Sequence, residues 1–225
     1  MVVEIHVDAT RRDARMRQFV ERAKEAGAKL IDSEDNALIR LSCSPRHQGV
    51  VAKVQALTAA TSLDSVLDEV QGPPLVLVLD GVTDPHNLGA SLRVADGAGV
   101  HAVVAPKDHA VGLNATVAKV ASGAAETTPY LMVTNLARTL GELKERDIQV
   151  IGLAEEATAT VYDLDLRGPI AFVLGAEGPG MRALTRKTCD VLVRIPMAGA
   201  VESLNVSVAA GICLFEAMRQ RGLPK

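Results

Sequence analysis

Aromatic residues are scarce in this chain, at 2% of its 225 positions, and tryptophan is absent. Domains that recognise RNA by stacking bases on a protein surface need aromatic side chains for that purpose. The composition therefore argues against a base-stacking platform. The formal net charge is −3, which provides no global attraction to nucleic acid, so a nucleic-acid partner would require a local basic patch.

Cysteine is also scarce, and its spacing argues against a metal site. Cys43, Cys189 and Cys213 are far apart and do not form the closely spaced pairs that are typical of zinc ligands. We interpret them as small buried hydrophobic residues. The chain has no apolar run of membrane-spanning length and no charged segment followed by the apolar stretch of a leader. We therefore expect a cytoplasmic protein that contacts no membrane and needs no metal.

Hydrophobic residues make up 48% of the chain, which predicts a packed core in one large or two small domains. Residues 1–55 have the pattern of a small α/β domain, with strands predicted at 3–7, 37–41 and 49–54. A helix is predicted at 11–26, with Phe19, Val20 and Ala23 as its apolar face and Gly27 at its C-terminal cap. Residues 56–74 are predicted to form a linker with one or two helical turns.

From Leu75 onward the pattern becomes regular. Short apolar strands alternate with helices, which predicts a mostly parallel sheet covered on both faces. The helices include one at about 87–98, one capped by Thr134 and a last one at about 203–219, opened by Ser203. The last helix is apolar around most of its circumference, so we expect it in the core or at a subunit interface. The strands are predicted at 75–79, 102–104, 131–133, 149–153, 170–174 and 191–195.

A glycine-rich segment follows the strand at 170–174 and reads Gly175-Ala176-Glu177-Gly178-Pro179-Gly180-Met181. Glycines let a ligand approach the main chain closely. The spacing G-x-x-G-x-G differs from the G-x-G-x-x-G fingerprint of dinucleotide-binding folds and lies far from the first strand. A tight turn without a ligand is the simpler alternative. Glu177 either braces the loop or serves as a functional acid.

Two further segments place polar residues after a predicted strand, where open α/β sheets bind their ligands. The turn after residue 79 leads into a helix that carries Asn87 and Arg93, six positions apart and therefore on different faces. The simpler alternatives are a helix cap for Asn87 and a solvent-exposed charge for Arg93. The second segment, 195–207, joins a strand end to a small-residue loop and a helix start, for which an ordinary capped helix is the alternative.

In this order and spacing the three segments resemble the motifs of the SPOUT class of RNA methyltransferases, specifically the ribose 2′-O-methyltransferases of the TrmH group. The resemblance covers about 19–221 and is strongest from Leu75 on. Further matching stretches, including 99–103, 113–116, 122–126, 133–139 and 210–217, resemble members that methylate a guanosine ribose in the peptidyl-transferase loop of 23S rRNA. The three motifs read Asp84-Pro85-His86-Asn87-Leu88-Gly89 with Arg93, Leu174-Gly175-Ala176-Glu177-Gly178, and Ile195-Pro196-Met197 with Ser203-Leu204-Asn205-Val206-Ser207.

The resemblance implies a fold and its partners. It implies a small N-terminal α/β domain like ribosomal protein L30, which binds RNA, and a C-terminal SPOUT α/β domain at 75–225 with a deep trefoil knot. Periodicity cannot indicate a knot, because knots are rare. The resemblance further implies a homodimer with its site at the interface, S-adenosyl-L-methionine as cofactor and no metal. It assigns the cofactor to Gly175, Glu177, Gly178, Ile195, Met197 and Leu204.

The implied reaction transfers a sulfonium methyl group to a ribose 2′-hydroxyl, with Arg93 as a catalytic residue. A guanidinium loses its proton with difficulty, so we expect Arg93 to stabilise the developing alkoxide and hold the nucleophile. The residues expected to complete the site are Asn87, Glu177, Ser203 and Asn205. The most concentrated basic patch is predicted to contact RNA phosphates, with a solvated helix face as the alternative; it comprises Arg11, Arg12, Arg15 and Arg17.

Several alternatives stay open at this stage. The family's Tyr-Gly-x-His start has no counterpart before Val2, which predicts either a start that lies further upstream or a shortened N-terminal domain. A tRNA ribose methyltransferase with the same motifs is disfavoured by that domain and by His47-Gln48-Gly49, which resembles the family's domain junction. A catalytically silent RNA-binding protein of this class is disfavoured by the intact motif residues. A nucleotide-dependent oxidoreductase would need a glycine fingerprint after the first strand.

Overall fold

The structure of the protein is a computed structural model that describes residues 2–42, 44–54 and 62–222. The chain divides into two compact units, Met1–Thr58 and Ala59–Lys225. None of the helices in the described ranges is long and apolar enough to cross a membrane. The same residues contain no cluster of His, Cys, Asp and Glu side chains that could hold a metal ion.

The first unit is a small sheet covered by helices. Its central strand β1 (Val2–Asp8) pairs in parallel with β2 (Leu30–Ser33) and antiparallel with β3 (Val50–Val54). The core of this unit is formed by apolar side chains from the sheet and the first helix, namely Ile5, Val7, Met16 and Ala23. The elements in chain order are β1 (Val2–Asp8), α1 (Ala14–Glu25), β2 (Leu30–Ser33), α2 (Asp35–Ser42) and β3 (Val50–Val54).

The strand predicted at 37–41 is wrong, because these residues belong to helix α2. The prediction relied on alternating apolar residues, but the fully buried side chain is Leu38, and Leu41 is 51% exposed. Alanine, leucine and arginine have high helix propensities. These propensities favour a helix here because no alternating face of the segment is buried. Strand β2 was not predicted, because four residues with mixed polarity carry little periodic signal.

Helix α1 is confirmed, and so are Val20 and Ala23 on its apolar face, whereas Phe19 departs from the prediction. The Asp13 side chain accepts a hydrogen bond from the Met16 backbone N–H and caps the helix. Met16 and Ala23 are buried, whereas Phe19 is 37% exposed, so Phe19 is not part of the core face that we predicted. Gly27 directly follows the C-terminal cap with a φ of 72°, in the left-handed conformation expected after a helix end.

The second unit contains, in the described ranges, a seven-stranded sheet whose neighbouring strands all pair in parallel. The elements in chain order are α3 (Leu63–Asp68), β4 (Leu75–Asp80), α4 (Pro85–Gly97), β5 (Ala102–Pro106), α5 (Ala115–Ala121), α6 (Ala124–Thr127), β6 (Tyr130–Val133), α7 (Leu136–Glu145), β7 (Gln149–Leu153), β8 (Ala159–Thr160), β9 (Ile170–Gly175), α8 (Ala183–Thr188), β10 (Val191–Arg194) and α9 (Val206–Arg221). The strand order in the sheet is β6-β5-β4-β9-β7-β10-β8.

Strand β4 explains why an uninterrupted apolar sequence becomes a central strand. Successive side chains point to opposite faces of a sheet. Leu75, Leu77 and Leu79 therefore pack with α4, α5 and α9 on one face, and Val76 and Val78 pack with α3 and α7 on the other. Every residue of β4 is buried. The predicted parallel sheet with helices on both faces is confirmed.

Two predicted helix caps are wrong by one or two positions. Asn135, not Thr134, caps α7, since its side chain accepts a hydrogen bond from the Arg138 N–H. Asn205, not Ser203, caps α9. The last helix does lie in the core, where it packs on α4 and β9. Its buried side chains include Val206, Ala210, Cys213, Leu214 and Ala217.

The cysteine interpretation is confirmed for Cys213, which is completely buried. Burial raises the pKa of this thiol to about 12. Cys189 is half-buried behind the sheet, and burial, together with nearby Asp190, raises its pKa to about 11. Neither thiol is poised for chemistry at neutral pH. Cys43 lies outside the described residues.

Arg221 fastens the end of α9 to the start of the sheet. Its guanidinium donates hydrogen bonds to the carbonyl oxygens of Pro73, Pro74, Leu166 and Gly168. Partial burial lowers the pKa of Arg221. The first two carbonyls precede β4 and the other two precede β9, so one side chain joins three segments that are distant in sequence.

We expect Arg221→Gln to destabilise the second unit by about 2–3 kcal/mol, because four carbonyl groups, one of them on the buried Leu166, lose a charged donor. The melting midpoint should fall by roughly 4–12 °C. Arg138→Gln is the control: Arg138 pairs with Glu142 on the exposed side of α7, and its loss should cost less than about 1 kcal/mol. Equal losses from both changes would contradict the proposed fastening.

Candidate active site

A cavity of about 500 Å³ opens at the carboxyl ends of strands β7, β9 and β10. Leu153 ends β7, Gly175 ends β9 and Arg194 ends β10, and all three line it. Parallel strands present their carboxyl ends along one edge of the sheet, which is where open α/β folds bind ligands. The volume lies in the range of roughly 300–1,000 Å³ that small-molecule sites occupy.

The glycine loop forms one wall of this cavity by folding back on itself. The Gly180 N–H donates to the Ala176 carbonyl over 3.0 Å, and Gly178 and Gly180 have positive φ angles of 84° and 68°. A Cβ atom on Gly175 would collide with the backbone of Gly180 and Met181. Gly175 is therefore required because the main chain of the loop contacts it, and Gly178 and Gly180 are favoured because their φ angles are positive. The absence of side chains also leaves the main chain open to the cavity.

The structure places all the predicted cofactor residues around this one cavity. They come from the glycine loop and from the segment between β10 and α9, and they are Gly175, Glu177, Gly178, Ile195, Met197 and Leu204. Ser203, which we predicted as a catalytic residue, also lines the cavity. Further residues that were not predicted as site residues also line the cavity, although their positions at strand ends or in the glycine loop were a usable signal; these include Leu153, Ala154, Leu174 and Met181.

Three side chains from the three motifs meet in a hydrogen-bonded cluster. The Asn205 Nδ2 donates to Glu177 Oε1 over 2.6 Å and to Asn87 Oδ1 over 2.8 Å. The Asn87 Nδ2 lies 3.4 Å from the same carboxylate oxygen. Glu177 and Asn205 are exposed and Asn87 is half-buried. The cluster therefore presents a carboxylate and two amides at the protein surface.

The orientation of Asn205 follows from its second role. Its Oδ1 accepts hydrogen bonds from the Ser207 N–H at 3.0 Å and the Ser207 hydroxyl at 2.6 Å, which caps α9. Because the oxygen is used by the cap, the amide nitrogen must point toward Glu177 and Asn87. The helix start thereby fixes which group Asn205 offers to the cluster.

Asn87 is not a helix cap. The side chain of Asp84 accepts hydrogen bonds from the backbone N–H groups of His86 and Asn87 and caps α4, with Pro85 at the first helical position, where its fixed φ suits the helix. The Asn87 side chain is therefore free to join Glu177.

Arg93 lies two turns further along α4 and is exposed. Its Nη1 lies 3.5 Å from the Ser122 hydroxyl, in the turn between α5 and α6. A Cβ on Gly89 would come within 2.7 Å of Val120, so helices α4 and α5 pack too closely for any larger residue there. Within the described ranges Arg93 makes no hydrogen bond to the asparagine–glutamate cluster.

The basic patch of the first unit divides into one braced arginine and three unpaired ones. Arg11 donates to an oxygen of Asp13 at 2.7 Å and to the backbone carbonyl of Gln48. Arg12, Arg15 and Arg17 are exposed, and no hydrogen bond or ion pair joins their side chains to the other residues that the structure describes. Three guanidinium groups at the start of α1 are thus available to an anion.

The second unit matches a known family. Residues 74–215, more than half of the chain, match the model of the SpoU rRNA Methylase family. The chain belongs to this family. Residues 1–60 of this SpoU methylase also match the model named RNA 2′-O ribose methyltransferase substrate binding. The assignment from the three motifs is thereby confirmed.

Relatives of this SpoU methylase are similar over nearly the whole chain. It is 64% identical to the 23S rRNA (guanosine-2′-O-)-methyltransferase RlmB of Ralstonia nicotianae, over 98% of this chain and 88% of that protein. It is 52% identical to the RlmB of Neisseria meningitidis, over 99% and 89% of the two chains. The solved SpoU methyltransferase AviRb of Streptomyces viridochromogenes, in complex with AdoMet, superposes with a TM-score of 0.80 at 26% identity and covers 98% of this chain and 83% of its own.

The geometry of the cluster predicts a pH-dependent effect of Asn205→Asp. Aspartate keeps the cap on α9, but it places a second carboxylate against Glu177. Repulsion between two neighbouring carboxylates raises the pKa of one of them. The repulsion therefore acts at pH values above this raised pKa, and it disappears at lower pH, when that carboxyl gains a proton. We expect a melting midpoint a few degrees lower than that of the wild type near about pH 8, with the difference shrinking toward about pH 5.

Differential scanning of both proteins across this pH range measures the effect. In the background Glu177→Gln, the change Asn205→Asp should have little effect at any pH, because the repelling partner is gone. A loss of stability that is the same at all pH values, or that persists in the Glu177→Gln background, would contradict the contact between the two side chains.

Proposed function

We propose that this protein transfers a methyl group from S-adenosylmethionine to the ribose 2′-hydroxyl of a guanosine in 23S rRNA. The observation that carries the proposal is the glycine-walled cavity next to the cluster of Asn87, Glu177 and Asn205. The names of the RlmB relatives supply the substrate, and their similarity extends over both units.

The cavity suits S-adenosylmethionine better than a dinucleotide. Backbone groups of the glycine loop can hydrogen-bond the edge of an adenine, and the side chains of Ile195, Met197 and Leu204 provide apolar contact for a ring and a thioether chain. A pyrophosphate would need a glycine turn that opens directly into a helix N-terminus. Here the glycines fold back on the strand end, and α8 begins only at Ala183, after the loop has closed. We assign the cofactor to Gly175, Glu177, Gly178, Ile195, Met197 and Leu204.

The bound cofactor supplies an electrophilic methyl group on a sulfonium. The protein must hold the ribose hydroxyl in line with that methyl group and stabilise negative charge on the oxygen. We assign the charge stabilisation to Arg93, an exposed guanidinium on the same helix as Asn87. Its contact with Ser122 is long, at 3.5 Å, which leaves its donors available to a ribose oxygen or a phosphate.

The remaining catalytic assignments follow from the positions of the side chains. Glu177, held by the amides of Asn87 and Asn205, is proposed to fix the shape of the glycine loop and orient polar groups of the substrate. Ser203 lines the cavity and is proposed to donate to the bound cofactor or ribose. The exposure of this cluster supports a site that is completed by a second subunit, and we propose a homodimer.

The path of the chain after β10 supports a trefoil knot. Strand β10 lies beyond β7, on the side away from β4. The following helix α9 nevertheless packs on α4 and β9, and Asn205 at its start reaches Glu177. The intervening segment must therefore return past the ends of two strands. We propose that it threads through the loop that these strands define, as in other SPOUT proteins.

We further propose that different parts of the chain have different functions. Residues 1–55 would form the L30-like domain that binds RNA, 56–74 a linker and 75–225 the methyltransferase domain. The unpaired arginines at the start of α1 support the first assignment. We expect the protein to act in the cytoplasm, where ribosomal RNA is assembled.

Methyl transfer to isolated RNA tests the function. The protein is incubated with labelled S-adenosylmethionine and either 23S rRNA or tRNA, and the modified nucleotide is mapped. We expect label at one guanosine 2′-oxygen of 23S rRNA, and at least about 100-fold less turnover for Arg93→Ala, because a donor to developing charge is worth that much. Arg138→Ala, which removes an exposed ion pair on α7, should keep full activity.

Three results would contradict these assignments. Label in tRNA alone would replace the substrate, and no label in either RNA would overturn the proposed activity. Near-normal turnover of Arg93→Ala would remove the role of Arg93 while leaving the activity in place.

RNA affinity measured against salt concentration tests the basic patch. Each phosphate contact that is lost should reduce the slope of log affinity against log salt by about 0.7–0.9. We expect Arg15→Glu with Arg17→Glu to weaken binding and flatten this slope. The matched control, Arg22→Glu with Lys24→Glu, changes the same charge in the last turn of the same helix. An unchanged slope in the first variant, or equal changes in both, would exclude the patch.

A further inference from the structure

A carboxylate is completely buried at the end of β4, beside the cavity. The side chain of Asp80 has no exposed surface. Its Oδ1 accepts a hydrogen bond from the Arg182 Nε at 2.7 Å, and its Oδ2 accepts one from the Arg182 backbone N–H at 2.9 Å. Burying a charge is costly unless it is paired and hydrogen-bonded. Both oxygens of Asp80 are thus used by one residue that lies 102 positions away.

This contact closes a ring around the glycine loop. Asp80 is paired in register with Gly175, the residue at which the loop begins. Arg182 directly follows Met181, the residue at which the loop ends. Between them, the backbone of Gly180 and Met181 packs directly against Gly175. The carboxylate therefore ties the exit of the loop to the strand beside its entrance.

The same strand end leads into the helix that carries Asn87. Gly81 follows Asp80 with a φ of 88°, and α4 begins at Pro85. The contact between Asp80 and Arg182 therefore joins the cofactor side of the site to the segment that presents Asn87 to Glu177. Neither Asp80 nor Arg182 lines the cavity or belongs to the asparagine–glutamate cluster.

We propose that Asp80 and Arg182 are positioning residues that hold the glycine loop in its cofactor-binding shape. The inference rests on the proposed function, since it concerns the affinity of that same cavity for S-adenosylmethionine. It goes further by assigning the shape of the loop to one ion pair, between the buried Asp80 and the half-exposed Arg182, and by predicting which kinetic constants depend on it. Without the pair, the loop loses its attachment at Arg182 and Glu177 is displaced from the two amides.

Graded substitutions should have graded effects. Arg182→Lys keeps the charge but not the planar donor geometry, and Arg182→Gln removes the charge while the backbone N–H still donates to Asp80. Asp80→Asn replaces one acceptor oxygen by an NH2 group, so that one of the two Arg182 N–H groups faces a donor and loses its hydrogen bond. We expect the affinity for S-adenosylmethionine to fall by about threefold, about tenfold and more than about tenfold in that order. The double variant should be no weaker than Asp80→Asn alone, because both changes break one contact.

Calorimetric titration of the full-length protein with S-adenosylmethionine measures these affinities, and steady-state kinetics separates the constants. We expect KM for S-adenosylmethionine to rise by the same factor as the dissociation constant, and KM for RNA to change by a smaller factor. Arg167→Gln is the matched control, because Arg167 and Asp165 form an exposed bidentate pair. It should leave the affinity at the wild-type value.

The outcomes separate this inference from the proposed function. A wild-type protein that binds no S-adenosylmethionine would overturn the proposed function, and the inference with it. A wild type that binds, with Arg182→Gln binding equally well, would overturn the inference alone. A purely structural pair would lower the melting midpoint and leave the affinity of the folded protein unchanged. If Asp80→Asn does not fold, the two Arg182 variants decide the question, since that side chain is 47% exposed.

Discussion

The close approach of two backbone segments at Gly175 is the constraint on which the site depends. Strand β9 can end beside its own returning loop only because Gly175 has no Cβ to collide with Gly180 and Met181. That approach sets the wall of the cavity and brings Glu177 to the protein surface beside α4. It also places Arg182 beside the end of β4, where the buried carboxylate of Asp80 accepts two hydrogen bonds from it. The lining of the cavity follows from this backbone packing.

The side chain of Asn205 alone connects the start of the last helix to the other two motifs of the site. One end of its amide caps the last helix and the other end reaches the two remaining motifs. Because the helix start and the cluster share one side chain, any shift of α9 along its axis would move the site. Helix α9 is in turn buried against α4 and β9, so the core of the unit determines the position of a polar group at the surface.

Local patterns were sufficient to predict much of the second unit. Three features could be predicted because the conformation of each is determined by residues that are close in sequence. These are the apolar run of β4, Pro85 at the start of α4 and the glycines after β9. The strand predicted at 37–41 failed because burial of Leu38 alone, set by its neighbours in space, decides that segment. The caps failed by one or two positions because several residues near a helix start can cap it. The contact between Asp80 and Arg182, the neighbours of β10 and the shared role of Asn205 join residues distant in sequence, and no local pattern contains them.

The attachment made by Arg221 bears on the order in which the second unit can fold. The carbonyls that it binds precede β4 and β9, and both strands come earlier in the chain than the arginine. Because synthesis proceeds from the N-terminus, the two strands are made before the side chain that joins them. Pairing of β4 with β9 therefore does not need Arg221, and the attachment can form only after the sheet segments that it connects have been made.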